Sequence, residues 1–387
     1  MGMVCAAGLF LAMPSALAED GVTPTEIRVG QVAALEGPAS ALGNGMRIGL
    51  LTAFAEVNAK GGVNGRQITL VSRDDSYEPE DSAAQTKAMI EEEKVFALIG
   101  PVGTPTTKSA QPIATAAGVP FIGPFTGAGF LRDGALTNVV NVRASYNQET
   151  EEWVKRLTED LGVKSIAIVY QNDAFGQAGL SGVEAAMTKR GLTLSAKATY
   201  ERNTIAVEEA VASMVATKPD AVVMVGAYAP CAEFIRQARK AGLDATYVNI
   251  SFVGSDALAE DLGADGEGVV ITQVVPFPWD ESLSIVKDYH AALAAHGGGE
   301  KPGFVSLEGY LVGRFFIAAL EKAGSEPTRA SLLSAISSTG TFDLGGFTLN
   351  YGAGDNQGSD QVFFTVIKAD GSFMAIDKLP GSQAAVQ

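Results

Sequence analysis

Cysteine and histidine are scarce in this sequence of 387 residues. The two cysteines are Cys5 and Cys231, and the two histidines are His290 and His296. Because Cys5 lies in an apolar N-terminal segment, Cys231 has no second cysteine downstream with which to form a disulfide bond. Two histidines also argue against a zinc site or a catalytic triad with a histidine base. We therefore expect no metal and no cofactor, and a fold stabilised by its hydrophobic core.

Positive charge is also in short supply, since 28 lysine and arginine residues stand against 44 aspartate and glutamate residues, for a net charge of −16. Nucleic-acid phosphates are bound by clusters of lysine and arginine, and the sequence has no such cluster, which argues against a nucleic-acid partner. The hydrophobic content of 47% is typical of a globular protein, and the length allows two domains. Downstream of residue 18, no apolar run approaches the length that crosses a membrane.

Motifs that carry catalysis or nucleotide binding are missing as well. The sequence contains no P-loop, no HExxH zinc motif, no EF-hand loop and no GxSxG nucleophile elbow. We therefore expect a protein that is not an enzyme. The enzyme alternative is a hydrolase or dehydrogenase of the doubly wound type, and turnover of an ester, an amide or a nicotinamide substrate would be its signature.

The first 18 residues have the pattern of a secretory signal peptide. An apolar run covers residues 4–13, and the small residues Ala16 and Ala18 precede Glu19 and Asp20. This arrangement is typical of a cleavage site of the A-x-A type, and the run is too short to span a bilayer. We expect cleavage near Ala18 and an exported protein.

Short apolar segments alternate with helical segments along most of the chain. Predicted strands cover residues 27–33, 68–72, 96–99, 119–122, 165–170, 220–225, 247–250 and 269–274, and predicted helices cover 45–60, 79–92, 105–117, 175–190 and 230–241. Such alternation predicts an α/β fold, and its restart after Arg143 predicts two doubly wound parallel-sheet lobes. Helices at 282–295 and 304–323 precede two further strands, 341–349 and 362–367, which we expect to return one to each lobe.

Two loops that follow neighbouring predicted strands carry hydroxyl groups. In the first, Thr104 suits the N-cap of a helix and Pro105 its first position, which leaves the backbone N–H groups of Thr106 and Thr107 free. In the second, Thr126 is followed by the unhindered amide of Gly127. A helix N-terminus at the carboxyl edge of a parallel sheet attracts anions. We expect these loops to hold a carboxylate from two sides.

The corresponding loops of the second half supply aromatic side chains. Phe175 follows the strand at 165–170, and Tyr228 follows the strand at 220–225. Aromatic residues in such loops often line ligand clefts, although a role in the core is the alternative.

Several segments also resemble the solute-binding proteins of ABC importers, of the leucine/isoleucine/valine-binding type. The matching residues, in the family's order, are 36–38, 56–66, 73–75, 99–101, 175–176 and 234–243, and the second stretch contains the sequence NAKGGVNG. The resemblance implies a type I periplasmic binding fold, in which two α/β lobes joined by a three-segment hinge close on a ligand. The hinge would lie near 142–144, 272–274 and 355–361. Lobe 1 would comprise 19–142 and 274–356, and lobe 2 would comprise 143–273 and 357–387.

The same resemblance implies where a ligand binds. The carboxylate of a bound amino acid would meet Thr104 and the segment from Phe125 to Gly127. Leu42 takes the place of an aromatic residue in the family's first loop. Phe175 and Tyr228 match its aromatic residues of the second lobe.

One departure from the family affects the choice of ligand. The acidic residue that receives the ammonium of an amino acid aligns near Ser251, which is neutral. A buried ammonium without a carboxylate costs several kcal/mol. Either another acid, Glu36 or Asp256, supplies the charge, or the ligand has no ammonium. Amino acids and organic acids, both aromatic and aliphatic, therefore remain open.

Together these observations predict the function. We expect a monomer that captures a small carboxylate ligand by lobe closure and delivers it, chemically unchanged, to an inner-membrane ABC permease. The alternative is a ligand-sensing protein on the same fold that signals to a receptor.

Overall fold

The computed structural model describes residues 19–380, so the predicted signal peptide lies outside the described residues. Within this range the chain forms fourteen β-strands and eleven α-helices. The strands are β1 Glu26–Ala33, β2 Gln67–Asp74, β3 Ala97–Ile99, β4 Phe121–Ile122, β5 Val139–Val140, β6 Ile166–Gln171, β7 Lys197–Tyr200, β8 Ala221–Val225, β9 Thr246–Asn249, β10 Val270–Gln273, β11 Thr341–Asp343, β12 Thr348–Asn350, β13 Phe363–Ile367 and β14 Phe373–Ile376. The helices are α1 Ser40–Ala59, α2 Pro79–Glu91, α3 Thr104–Ala116, α4 Tyr146–Glu159, α5 Ala174–Thr188, α6 Glu208–Thr217, α7 Tyr228–Lys240, α8 Ser255–Leu262, α9 Ser284–His296, α10 Phe304–Ala323 and α11 Arg329–Thr339.

The strands form two main sheets. Sheet 1 has the order β2-β1-β3-β4-β5, and all its neighbours are parallel. Sheet 2 has the order β14-β13-β10-β9-β8-β6-β7, and its strands from β6 to β10 are parallel. Sheet 1 and the helices packed with it, α1–α3 and α9–α11, are called lobe 1 below. Sheet 2 and α4–α8 are called lobe 2. The predicted α/β fold is confirmed.

The strands at the end of the chain differ from the expectation. The predicted strand 341–349 is broken at Gly345 and Gly346, whose φ angles are 97° and 98°. The two halves, β11 and β12, pair with each other as a separate antiparallel sheet. Both β13 and β14 then join sheet 2 in antiparallel pairing. The expectation of one strand for each lobe was wrong because each pair is closed locally by a tight glycine-containing turn.

The chain passes between the two sheets three times, through residues 141–145, 274–283 and 351–362. The first and third connections run side by side, since Asn141 forms a parallel bridge with Gln357. The backbone N–H of Asn141 donates to Asn356 O at 2.8 Å, and that of Gly358 donates to Asn141 O at 2.8 Å. Carboxyl ends of strands from both sheets therefore meet beside these connections.

Two helices of lobe 1, α1 and α10, pack closely against each other. Helices α1 and α10 approach until a Cβ atom on Gly49 would lie 2.1 Å from Ser306 O, and one on Gly309 would lie 2.3 Å from Met46 O. Glu308, on the same helix α10, is 3% exposed. Cys231 on α7 is buried. Within residues 19–380, no helix has both the length and the hydrophobicity needed to cross a bilayer.

Candidate functional site

The two predicted hydroxyl loops come together. Strands β3 and β4 are neighbours, and the Oγ1 atoms of Thr104 and Thr126 lie 2.6 Å apart, both fully buried. The backbone N–H of Ala128 also donates to Thr126 Oγ1 at 3.2 Å. Two loops thus present one hydroxyl pair at the carboxyl edge of sheet 1.

The start of α3 differs in detail from the expectation. Gly103 is the N-cap, with a φ of 103°, and a Cβ atom there would lie 2.3 Å from the ring of Tyr77. Thr104 is therefore not the N-cap, which frees its hydroxyl for Thr126, and Pro105 is the second helical residue. The backbone N–H of Thr107 is not free as expected, because it donates to Gly103 O at 3.1 Å. The hydroxyl of Thr106 donates to Val102 O at 2.5 Å within the loop.

Tyr146 lies beside this hydroxyl pair. Its backbone N–H donates to Gly127 O at 2.7 Å, and a Cβ atom on Gly127 would lie 2.5 Å from the Tyr146 ring. Burial raises the pKa of Tyr146, and the charge of Arg143 acts to lower it. The hydroxyls of Thr126 and Thr104 are close enough to lower the pKa of Tyr146 as well. Among the described residues, the Tyr146 hydroxyl has no hydrogen-bond partner.

A capping box fixes the start of α4. The side chain of Ser145 accepts from the backbone of Gln148 at 3.3 Å, and the side chain of Gln148 accepts from the backbone of Ser145 at 2.7 Å. This arrangement directs Tyr146 and Glu149, which share the first turn of the helix, into the interlobe space. Sequence reasoning missed both residues, although the S-x-x-Q pattern is readable in the sequence.

Five buried aromatic rings from both lobes contact one another near the hydroxyl pair. Phe252 is central, with ring centroids 4.6 Å from Phe175, 5.3 Å from Phe125 and 6.0 Å from Tyr77. The ring of Tyr146 lies 5.5 Å from that of Phe175. Phe125 and Phe175 were predicted site residues. Tyr77 and Phe252 were missed.

Arg143 lies in the first connection between the lobes and is 1% exposed. Its Nε atom is 3.0 Å from Glu308 Oε1, and its Nη2 donates to Glu308 Oε2 at 3.2 Å. The same Nη2 donates to Ser251 Oγ at 2.8 Å. The guanidinium carbon lies 4.5 Å from the ring centre of Phe125. One cation therefore joins predicted site residues of both lobes.

A buried acid does lie next to Ser251, but it is Glu149. Its oxygens accept from the backbone and side chain of Ser251 at 2.9 and 2.8 Å, and from Thr272 Oγ1 at 2.5 Å. Glu36 is exposed, and its backbone N–H donates to Asp74. Asp256 accepts instead from the backbone of Phe304 at 3.1 Å. Among the described residues, no hydrogen bond or ion pair joins Glu36 or Asp256 to Ser251.

The charges around Arg143 perturb one another. Burial raises the pKa of Glu308 to about 7, although Arg143 opposes the shift. Burial, together with repulsion by Arg143, lowers the pKa of Arg132 to about 9. Arg132 donates to the carbonyl oxygens of Thr126 at 3.2 Å and Arg143 at 3.2 Å. It thereby fixes the second hydroxyl loop against the first connection.

Further contacts join the lobes outside this cluster. Arg202 Nη2 donates to Glu78 Oε2 at 2.6 Å, and Asn203 Nδ2 donates to Glu78 Oε1 at 2.7 Å. Tyr228 accepts, through its hydroxyl, from the backbone N–H of Ala41 at 3.4 Å. The lobes are therefore in direct contact across the interlobe space.

Leu42, a predicted site residue, lies at a neighbouring groove. A Cβ atom on Gly254 would lie 2.6 Å from Leu42 Cδ2, so the two lobes touch here as well. The groove has a volume of about 1340 Å³ between α1, α8 and the N-terminus of α10, and Asp256 and Trp279 also line it. The structure thus places Leu42 at this groove, whereas the half-buried Tyr228 contacts lobe 1 at Ala41.

Comparison with known proteins agrees with this architecture. The profile of the family described as "Periplasmic binding protein" matches residues 26–372. The structure of a possible leucine/isoleucine/valine-binding protein from Rhodopirellula baltica SH 1 is 38% identical, with a TM-score of 0.87, and the match covers 94% of this chain and 98% of that one. The Leu/Ile/Val-binding protein of Escherichia coli (strain K12) is 27% identical over 67% of this chain and 68% of its own length.

A more distant structure shares the fold. The solute-binding protein RPA0668 of an ABC transporter from R. palustris, solved in complex with benzoate, is 21% identical, with a TM-score of 0.81 and coverage of 91% and 95%. The lobes, the sheet order and these matches define an α/β binding protein of two lobes. The chain belongs to the periplasmic binding protein family, in the type I class that includes the Leu/Ile/Val-binding proteins.

Proposed function

We propose that this protein is an extracytoplasmic solute-binding protein that captures one small carboxylate by lobe closure and hands it to an ABC-type permease. Its relatives are named as binding proteins, and one of them is named as part of an ABC transporter. The single observation that supports a carboxylate ligand is the buried hydroxyl pair of Thr104 and Thr126 at the edge of sheet 1. It lies beside the N-terminus of α3, where the helix dipole favours an anion.

Closure is proposed because residues of both lobes converge on this point. Phe125 comes from lobe 1, whereas Phe175 and Ser251 come from lobe 2. A ligand held by both sides stabilises the contact between them, and thereby shifts the lobes toward the closed state. We place the lobe limits at 19–142 with 274–356, and at 143–273 with 357–387.

The residues that we propose to bind the ligand lie at different positions along the interface between the lobes. It consists of Leu42, Glu36, Thr104, Thr106, Phe125, Thr126, Gly127, Phe175, Tyr228 and Ser251. The residues of the hydroxyl and aromatic cluster would contact the ligand, whereas Leu42 and Tyr228 would act at the rim. Glu36 is the weakest member because its side chain is exposed at the mouth of the first loop.

A thermal-shift screen followed by titration calorimetry tests the binding function. The mature protein would be unfolded and refolded to remove any bound compound, then challenged with amino acids, aliphatic acids and aromatic acids. We expect one class of carboxylate to raise the melting temperature, because a ligand that binds only the folded state stabilises it. The compound recovered afterwards should be unchanged by mass spectrometry. A chemically altered compound would contradict a pure binding function.

Delivery and export need their own measurements. We propose that the leader is removed near Ala18 and that the mature monomer acts in the periplasm. N-terminal sequencing of the exported protein would test the cleavage. Uptake of the identified ligand into membrane vesicles that contain the permease should require the binding protein, and uptake at the same rate without it would contradict delivery.

A further inference from the structure

Two buried donors of this cluster have neither a hydrogen-bond partner nor an ion-pair partner among the described residues. They are the Nη1 group of Arg143 and the hydroxyl of Tyr146, and each side chain is 1% exposed. Buried polar groups in folded proteins are almost always hydrogen-bonded. Unpaired donors at an interface between two moving lobes therefore indicate a bound group that brings acceptors.

The geometry of Arg143 shows where that group would lie. Its Nε and Nη2 atoms face the carboxylate of Glu308. Because the guanidinium is planar, Nη1 points away from Glu308. The Tyr146 hydroxyl is near enough to Arg143 and to the Thr104–Thr126 pair for all three to act on its pKa. Donors from a guanidinium, a phenol and a hydroxyl pair therefore lie close to one another.

The same guanidinium excludes a second cation. Its Nη2 lies 2.8 Å from Ser251 Oγ, at the position where the resemblance would place the acid that binds an ammonium. The nearest acid, Glu149, already accepts from Ser251 twice and from Thr272. An α-ammonium group at Ser251 would therefore lie beside a positive charge, and Glu149 has about one acceptor position left for it.

The rings that complete the cluster carry no charge. Phe125, Phe175 and Phe252 pack around the donors with centroid separations of 4.6–5.3 Å. The hydrocarbon part of a ligand can pack against these rings, whereas an amino group would lose its hydration there.

We propose that Arg143 and Tyr146 complete a carboxylate site with Thr104 and Thr126, and that this site selects hydrocarbon monocarboxylates that lack an α-ammonium group. The inference rests on the proposed binding function and names its ligand class. Arg143 acts as the specificity-determining residue, since it binds the carboxylate and repels the ammonium.

Matched ligand pairs test the selectivity. The probes are 4-methylpentanoate against L-leucine, and 3-phenylpropanoate against L-phenylalanine, where the members of each pair differ only in the ammonium group. At least one deaminated acid should bind about 100-fold more tightly than its amino acid, as expected for a like-charge contact in a buried site. An amino acid that binds as tightly as its deaminated partner would overturn the inference and leave the proposed binding function standing.

Variants test the residues. Tyr146→Phe removes an unpartnered hydroxyl, so the affinity for the acid should fall about tenfold while the melting temperature of the unliganded protein stays the same or rises. The matched control, Tyr247→Phe, removes a hydroxyl that donates to Leu243 O at 3.0 Å in lobe 2. It should lower the melting temperature and leave the affinity unchanged. Wild-type affinity in Tyr146→Phe would overturn the role of Tyr146.

Arg143 needs a variant that leaves no charge unpaired. The double variant Arg143→Gln/Glu308→Gln should bring the affinity ratio of acid to amino acid close to one, whereas Glu308→Gln alone should retain the preference for the acid. An unchanged ratio in the double variant would overturn the role of Arg143. Failure of every probe, benzoate included, to bind the wild type at millimolar concentration would instead overturn the proposed carboxylate-binding function as well.

Discussion

The hydroxyl of Thr104 lies 2.6 Å from the hydroxyl of Thr126, although 22 residues separate them in the chain. In such a pair one hydroxyl donates to the other, and the accepting hydroxyl keeps its own proton for a third group. Both are buried, and under the proposed function the ligand would be that third group. The pair is therefore suited to an anionic acceptor such as a carboxylate.

Thr104→Ala should weaken the binding of the identified carboxylate about tenfold or more, because a hydrogen bond to a charged group is lost. Stability of the unliganded protein should change little. Titration calorimetry and thermal melting measure the two effects. The matched control is Thr188→Ala on the exposed face of α5, whose hydroxyl donates to Glu184 O at 2.7 Å. Equal affinities of Thr104→Ala and the control would remove Thr104 from the site.

Arg202 and Glu78 form an ion pair between the lobes, at 2.6 Å, and Arg202 also lies 3.1 Å from Asp173. Partly exposed pairs contribute about 0.2–1 kcal/mol each. Arg202→Met should therefore weaken ligand binding about twofold to fivefold through a less stable closed state. The effect should shrink at high salt, because mobile ions screen the pair in the wild type.

A matched control keeps this prediction specific to the interface. Arg236 pairs with Glu233 within α7. Arg236→Met should thus leave the affinity unchanged. A double-mutant cycle of Arg202→Met with Glu78→Gln should show less than the sum of the single effects. Additive effects would mean that the pair does not couple the lobes.

Tyr228 contacts lobe 1 from the first residue of α7. Tyr228→Ala removes both the ring and the hydroxyl that meets the backbone of Ala41, so affinity should fall and the liganded protein should be less compact in small-angle X-ray scattering. Tyr228→Phe keeps the ring and should have the smaller effect. Unchanged affinity and compactness in Tyr228→Ala would place this residue outside the closure contact.

The alternation of strands and helices was enough to predict the two sheets and the meeting of the two hydroxyl loops. Consecutive parallel strands place their carboxyl ends at one edge, so Thr104 and Thr126 could be paired from the sequence. The prediction of Thr104 as the N-cap was wrong because the sequence does not distinguish a hydroxyl that caps a helix from one that faces a cleft. The positive φ of Gly103 distinguishes the two, and it depends on the packing of Tyr77.

The charged part of the cluster could not be predicted in this way. Arg143 and Glu308 are 165 residues apart, and their contact depends on how α10 packs against α1. Glu149 lies 102 residues from Ser251. No local pattern relates such positions. The capping box at Ser145 was the one local signal, since it fixes which residues of α4 face inward.

Glu308 gives a prediction about pH. Its pKa is about 7 in the folded protein because of burial, against 4.5 in a solvated chain. The folded state therefore holds the proton more tightly, and the stability that this proton contributes is full below about pH 4.5 and is lost as the pH rises to about 7. Glu308→Gln should lose this dependence, so its free energy of unfolding relative to wild type should rise by on the order of 1–3 kcal/mol between those limits.

Urea unfolding at several pH values measures the change, with the exposed Glu321→Gln on the same helix as the control. Parallel pH profiles for Glu308→Gln and the wild type would show that folding leaves the pKa of Glu308 at its solvated value, with the effect of burial offset by Arg143.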